Sequence, residues 1–357
     1  MPKMEIAIIG GGINGIMTAW ELAKQGHHIT LFEKNTLMSQ TSSASSKLLH
    51  GGLRYLENFE FRLVREALRE REWWIDKAPQ FARSLKLFIP VYEGSRRSVF
   101  KYKLGLWLYD FLAGHKNLGK HKKYSKSQTQ KLCPELKTEN LVASFSYYDG
   151  QMDDYQLGLW VAMQAGNSGV LFHENVTVEK ISVEGDVVVD GRSKQFDRVI
   201  NITGPWANEI LENSQVKTAY QLDLVRGSHI VINKKCEHGY LLEAPNERRI
   251  FFILPYQGKT LVGTTEQRQE LSREIKVSEA EVDYLIHGYN TYFKESISKQ
   301  DIVKMFAGLR PLIKSTQDPN KATREYVIER KNKLINVFGG KWTTSRQLAK
   351  NIVEKIM

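Results

Sequence analysis

Three glycines, Gly10, Gly12 and Gly15, stand in a G-x-G-x-x-G spacing, and an acid, Glu33, follows 23 residues after the first. That set of residue types can hold a dinucleotide. The first glycine permits a tight turn, and the second lets a diphosphate approach the backbone. The third lets a helix pack closely on a strand, so that the helix N-terminal amides face the negative charge. A carboxylate at Glu33 is placed to accept hydrogen bonds from a ribose diol, and it would repel the 2′-phosphate of NADP. The elements that must position these residues are legible around them. Ile6-Ala7-Ile8-Ile9 is a continuous apolar run, the pattern of a strand buried on both faces. A helical pattern follows through Ile16, Ala19, Trp20, Leu22 and Ala23 to a stop at Gly26, and a second strand, His28 to Phe32, ends on Glu33.

Beyond Glu33 a purely NAD-binding unit would proceed to a third strand. This chain instead gives Thr41-Ser42-Ser43-Ala44-Ser45-Ser46-Lys47, whose hydroxyls could donate to phosphate oxygens; a flexible serine linker is the other reading. Further along, His229 follows Gly227-Ser228 on a β-branched run. An imidazole there can take a hydroxyl proton near neutral pH, or it can be a hydrogen-bonded core histidine. Lys341 follows Gly339-Gly340 and opens a helix beginning near Thr343, where amides and a lysine would stabilise negative charge. Thr343 and Thr344 can cap that helix.

A length of 357 residues suits two structural domains, and 41% apolar with 25% charged residues is ordinary for a globular protein. The net charge of +11 points to an anionic substrate, an anionic membrane surface or nucleic acid. No nucleic-acid-binding module or recognition helix is legible, so no nucleic acid partner is expected. Two cysteines, Cys133 and Cys236, lie far apart in no metal or disulfide spacing. The apolar run before Gly10 is too short for a signal peptide and carries no cleavage signature, so none is expected, and no stretch approaches the ~20 apolar residues of a membrane span. The expected location is the cytoplasm, with peripheral contact to the inner face of the cytoplasmic membrane left open.

Phe59 to Ile75 reads as an amphipathic helix, with Trp73-Trp74 as packing residues. Tyr148 to Gly169 reads as a further helix, Val176-Thr177-Val178 and Val187-Val188-Val189 as short strands, and Arg198 to Gly204 as a buried strand running to the cofactor crevice. From Leu222 to about Thr265, β-branched runs alternate with turns, which suggests an antiparallel or mixed sheet.

At His50-Gly51-Gly52-Leu53-Arg54-Tyr55-Leu56-Glu57 the chain closely resembles the FAD-dependent glycerol-3-phosphate dehydrogenases, respiratory enzymes that pass electrons to quinone. The resemblance continues at Asn201-Ile202-Thr203-Gly204-Pro205-Trp206, Arg226-Gly227-Ser228-His229, Leu261-Val262-Gly263-Thr264-Thr265, Gly308-Leu309-Arg310-Pro311, Ala322-Thr323-Arg324-Glu325-Tyr326 and Phe338-Gly339-Gly340-Lys341-Trp342-Thr343-Thr344. It implies an α/β protein: an FAD-binding Rossmann-like domain with an inserted mixed β-sheet substrate domain, the D-amino-acid-oxidase-like architecture. We expect residues 1–84, 141–215 and 306–357 in the FAD-binding part and 85–140 and 216–305 in the substrate part. The family usually continues into a helical C-terminal domain, whereas this sequence ends at Met357, so that domain is expected to be lacking.

The resemblance also implies site residues. FAD is expected on Gly10, Gly12, Asn14, Gly15, Glu33, Ser42, Ser46, His50, Gly51, Val176, Thr203, Gly204, Gly340 and Thr343. Arg54 and Arg324 are expected to hold the substrate phosphate with Tyr55, and Thr265 to touch the substrate. His229 is expected to act as base, with Arg310 and Lys341 near the reacting atoms. The implied reaction takes sn-glycerol 3-phosphate to dihydroxyacetone phosphate, a hydride passing from C2 to flavin N5 and electrons then to quinone. Open alternatives are an oxidase using O2, another 2-hydroxy acid or polyol phosphate as substrate, and a flavin electron carrier without turnover.

Between Arg96 and Lys123 stand eight Lys or Arg residues and one acid, Asp110, around the apolar run Leu104 to Leu112. Such a segment reads either as an interfacial element with a basic collar or as a core helix beside a solvated loop.

Overall fold

The computed structural model describes residues 2–245, 247, 249–314 and 326–356. Beside a small three-stranded sheet of Lys180–Ile181, Asp186–Val189 and Arg192–Gln195, two large sheets organise the described residues. The smaller has six strands in the spatial order Tyr326–Lys331, Leu334–Gly339, Arg198–Asn201, Glu5–Ile9, His28–Phe32 and Leu171–His173. All neighbours run parallel except the Tyr326–Lys331 edge, which is antiparallel to its partner. The helix Ile13–Ala23 crosses from the first strand to the second, and the helices Asp154–Asn167 and Ser345–Ile356 pack beside it. Their shared core holds Ile6, Ile8, Ile16, Leu22, Leu157, Val161, Leu348 and Ile352, all fully buried. The run Ile6 to Ile9 carries no alternation because both faces of this sheet are covered.

The larger sheet has ten strands and is mixed. Its longest ladders pair Gln221–Ile232 with Ile302–Lys314, and Ala82–Tyr92 with Leu141–Met152, both antiparallel. The segment Leu222 to Thr265 supplies strands Gln221–Ile232, Gly239–Glu243, Ile250–Tyr256 and Lys259–Gly263, the mixed sheet expected from its turns. Trp74 is fully buried against Trp73 and Trp342, so the tryptophan pair serves packing.

Three local expectations differ from the structure. Tyr148 to Met152 ends a strand rather than beginning a helix, which starts at Asp154 behind the N-cap Asp153. Val176-Thr177-Val178 is irregular, following the turn after Leu171–His173, and pairs with no strand among the described residues. Residues 141–152 and 306–314, expected with the nucleotide-binding part, are strands of the larger sheet, held there by pairing along their length. Among the described residues, no helix is long and apolar enough to cross a membrane.

Candidate active site

The N-terminus of Ile13–Ala23 opens into a cavity of about 840 Å³ that continues between the two sheets. Gly10 adopts φ +116°, and a Cβ on Gly15 would lie 1.9 Å from the Gly10 carbonyl oxygen, so the helix sits directly on the turn. Ser42 Oγ accepts from the Ile13 amide at 3.0 Å, which leaves its own hydrogen to donate into the cavity. Glu33 accepts from the Gly11 amide at 2.7 Å and the Asn35 amide at 2.9 Å while lining the same cavity. Asn14 Oδ1 is buried there without a hydrogen-bond partner among the described residues.

The larger sheet supplies the opposite wall. His229 pairs with Gly263 on one side and Phe306 on the other, and its ring stacks on Phe306 at 4.9 Å. Nε2 lies 3.1 Å from Ser46 Oγ, and Nδ1 is buried without a partner among the described residues. Burial first, then the charges of Lys47 and Arg310, pull the imidazole down to about 3, so it is neutral near pH 7 and can accept a proton. Arg310 sits on the neighbouring strand, donating to the Thr265 carbonyl at 3.0 Å and to Glu266 at 3.4 Å. Burial lowers its guanidinium from the ordinary value, but arginine stays protonated.

A third wall comes from the His50 to Glu57 turn. Lys341 donates to Tyr55 Oη and lies over the Tyr55 ring at 4.1 Å. Arg54 is exposed at the cavity rim and forms no ion pair among the described residues. The turn is pinned from behind. Asp149 Oδ1 accepts from the Gly51 amide at 2.8 Å, from Arg71 at 2.9 Å and from Tyr109 at 2.9 Å. A Cβ on Gly51 would meet Tyr109 Oη at 2.1 Å, so only glycine lets the phenol reach behind the turn.

Most expected site residues therefore line one cavity: Gly10, Gly12, Asn14, Glu33, Ser42, Ser46, His50, Arg54, Tyr55, Val176, Thr203, Gly204, His229, Arg310, Gly340, Lys341 and Thr343. Gly15 and Gly51 stand behind its surface, in the packing roles just given. Thr265 is a correction. It does not line the cavity; its hydroxyl donates to Glu281 at 2.6 Å and accepts from the Ser228 amide at 2.9 Å. A buried carboxylate with several donors outcompetes an open site for that hydroxyl. Thr344 Oγ1 likewise has no hydrogen-bond partner among the described residues, so it does not cap the last helix. Arg324 lies outside the described residues.

Sequence reasoning missed the acids. Glu266 enters the cavity beside Arg310. Asp149 is buried in its wall, Asp154 and Glu281 are buried behind it, and each gathers several donors.

A family model described as FAD dependent oxidoreductase matches residues 5–354. Among characterised proteins, a D-erythritol 1-phosphate dehydrogenase of Brucella abortus is 35% identical over 371 residues, covering 99% of this chain and 73% of that protein. An aerobic glycerol-3-phosphate dehydrogenase of Escherichia coli is 35% identical over 376 residues, covering 100% of this chain and 74% of that protein. Two solved structures share the fold. The glycerol-3-phosphate dehydrogenase of Bacillus halodurans complexed with FAD superposes with a TM-score of 0.78 at 23% identity, this chain spanning 100% of itself and 64% of that chain. The L-α-glycerophosphate oxidase of Mycoplasma pneumoniae with FAD bound superposes at 0.78 with 18% identity, covering 100% of this chain and 95% of that chain.

Proposed function

This chain belongs to the FAD-dependent oxidoreductases, grouping with the glycerol-3-phosphate dehydrogenases among them, and we propose that it oxidises sn-glycerol 3-phosphate to dihydroxyacetone phosphate. The observation that carries this reading is one cavity with a dinucleotide cradle at one end and a buried neutral imidazole, an arginine and a lysine–tyrosine pair at the other. FAD fits the residues present. A helix N-terminus, a ribose-facing carboxylate and the unpartnered Asn14 Oδ1 stand where a dinucleotide's phosphates and sugars need donors and acceptors. In this reading the six-stranded part holds FAD, and the ten-stranded sheet with its helices forms the substrate side.

When bound, FAD supplies the two-electron acceptor for the hydride from C2. The rest falls to the protein. Arg54, Tyr55 and Lys341 hold the phosphate, because fixed charge and a phenol donor suit a doubly charged group. His229 takes the C2 hydroxyl proton as the carbonyl forms, and Arg310 stabilises the developing alkoxide.

Electrons pass from the reduced protein to quinone in this proposal, and the protein works at the membrane surface. What supports the latter is the helix Val99–Ala113. Phe100, Leu104, Trp107 and Phe111 recur along one of its faces and are exposed by 73%, 54%, 56% and 65%. Phe59 is exposed as well, and Lys101 and Lys103 stand beside these positions on the helix. Exposed aromatics with a basic collar suit an anionic bilayer. A second reading keeps the chemistry and lengthens the substrate: the Brucella abortus relative is named for D-erythritol 1-phosphate. Reduction rates measured side by side with the two phosphates rank them, and a preference for the four-carbon substrate would replace the first reading with the second.

A further inference from the structure

Behind His229, on the far side of the Ser45-Ser46-Lys47 segment, lies a second cavity of about 480 Å³ lined by Lys47, Asp153, Asp154, Lys304 and Phe306 among others. Its floor is an ion pair that the proposed reaction does not use. Lys47 is 4% exposed and Asp154 1%. The Lys47 ammonium donates to both Asp154 oxygens, at 2.6 and 2.8 Å, and to the Ser43 carbonyl at 2.6 Å. Asp154 also accepts from the Ser45 amide at 3.1 Å and the Ser45 hydroxyl at 2.7 Å. Ser45 Oγ in turn accepts from the Lys47 amide at 3.0 Å.

Ser46 is thus gripped on both sides by one carboxylate, and its own hydroxyl meets His229 Nε2 at 3.1 Å. The backbone is committed to the same end. Lys47 adopts φ +59°, a conformation uncommon for a residue with a side chain, and its carbonyl accepts from the Met152 amide at 2.9 Å. The Lys47 ammonium lies 4.8 Å from the centre of the Phe306 ring, on which His229 stacks. A buried positive charge therefore stands one ring away from the imidazole.

We propose that Lys47 and Asp154 are positioning residues for His229: the pair fixes Ser46 against the ring and holds a positive charge beside it. The inference rests on the reading of His229 as the base. A buried pair of this kind is a poor source of stability, since desolvation offsets its attraction, so a geometric task accounts for it better than a stabilising one. The charges facing the two groups come from three elements. The helix start gives Asp153 and Asp154, strand Ile302–Lys314 gives Lys304 and Arg310, and Glu266 stands beyond Arg310.

The test uses the FAD-loaded protein in two measurements: ring-nitrogen NMR of His229 against pH, and anaerobic flavin reduction by glycerol 3-phosphate. In Lys47→Gln/Asp154→Asn, where the pair is neutral and close in shape, the His229 midpoint should rise by about one unit, a tenfold change in proton affinity. Reduction should slow at least tenfold as Ser46 loses its grip. Lys47→Arg keeps the charge and should leave the midpoint in place while slowing reduction. An unmoved midpoint in the neutral pair overturns the inference whatever the rate. Should that variant not fold, Lys47→Arg decides, and wild-type reduction by it overturns the inference. His229→Gln separates this idea from the base itself. Normal reduction in that variant removes the base, whereas slow reduction there beside an unmoved midpoint in the neutral pair removes only the clamp.

Discussion

Ser46 Oγ lies 3.1 Å from Nε2 of His229, across 183 positions of sequence, and this contact joins the serine-rich loop to the strand Gln221–Ile232 of the larger sheet. It brings a residue beside the phosphate cradle and the candidate base into one hydrogen-bonded unit. Burial and the neighbouring positive charges keep the imidazole neutral, so it enters the reaction as an acceptor.

Replacing His229 by alanine should leave FAD bound, since the cradle lies on other elements. Flavin reduction should fall by a factor of about 10² to 10⁴, the usual contribution of a positioned general base. Stopped-flow reduction, with the flavin spectrum as the control for cofactor retention, checks this.

Arg71 is fully buried, and its charge is met by Asp149, the acid that also holds the Gly51 amide. Arg71→Met leaves that carboxylate buried and uncompensated, which should cost about 3–5 kcal/mol of stability. Denaturant unfolding measures it. The double variant Arg71→Met/Asp149→Asn should recover much of the loss, whereas an equal or larger loss would show that the pair acts through something other than its charge.

How much of this was legible in the sequence depended on range. The cradle was, because strand, glycines, helix and Glu33 sit within one short stretch and each demands its residue type for a local reason. The Ser46–His229 contact was not, since nothing local says that a serine loop and a distant strand meet. Thr265 read as a substrate contact from the sheet facing the cavity, but it lies just past the end of strand Lys259–Gly263, where its hydroxyl bonds to buried Glu281. Tyr148 to Met152 read as helix because the helix that follows begins two residues later. The buried acids were hidden by their type, since aspartate and glutamate are mostly surface residues and only tertiary partners make them core.

Glu281 provides a pH test of the scaffold. Burial alone would raise its carboxyl, but bonds from Thr265, the Ser278 amide and Arg226 outweigh that and hold it at about 2. A depressed acid stabilises the fold fully above its unfolded value near 4.5, and the contribution is lost as pH falls from there toward 2. Melting temperature should therefore drop across that window. Glu281→Gln should be less stable at neutral pH and show a shallower drop; an unchanged slope would exclude Glu281 as its source.

The exposed face of Val99–Ala113 predicts sedimentation with vesicles containing anionic lipid and not with neutral ones. Trp107→Ser/Phe111→Ser, altering two exposed side chains, should keep the fold and lose the binding. Equal sedimentation of wild type and variant would remove this face from the membrane.

The most direct test of the central claim is to add sn-glycerol 3-phosphate, without oxygen, to the FAD-loaded protein and follow the flavin absorbance. Rapid bleaching, with one dihydroxyacetone phosphate formed per flavin, is the predicted result. A flavin that stays oxidised with this phosphate yet bleaches with dithionite would contradict the account and leave only the cofactor and the fold.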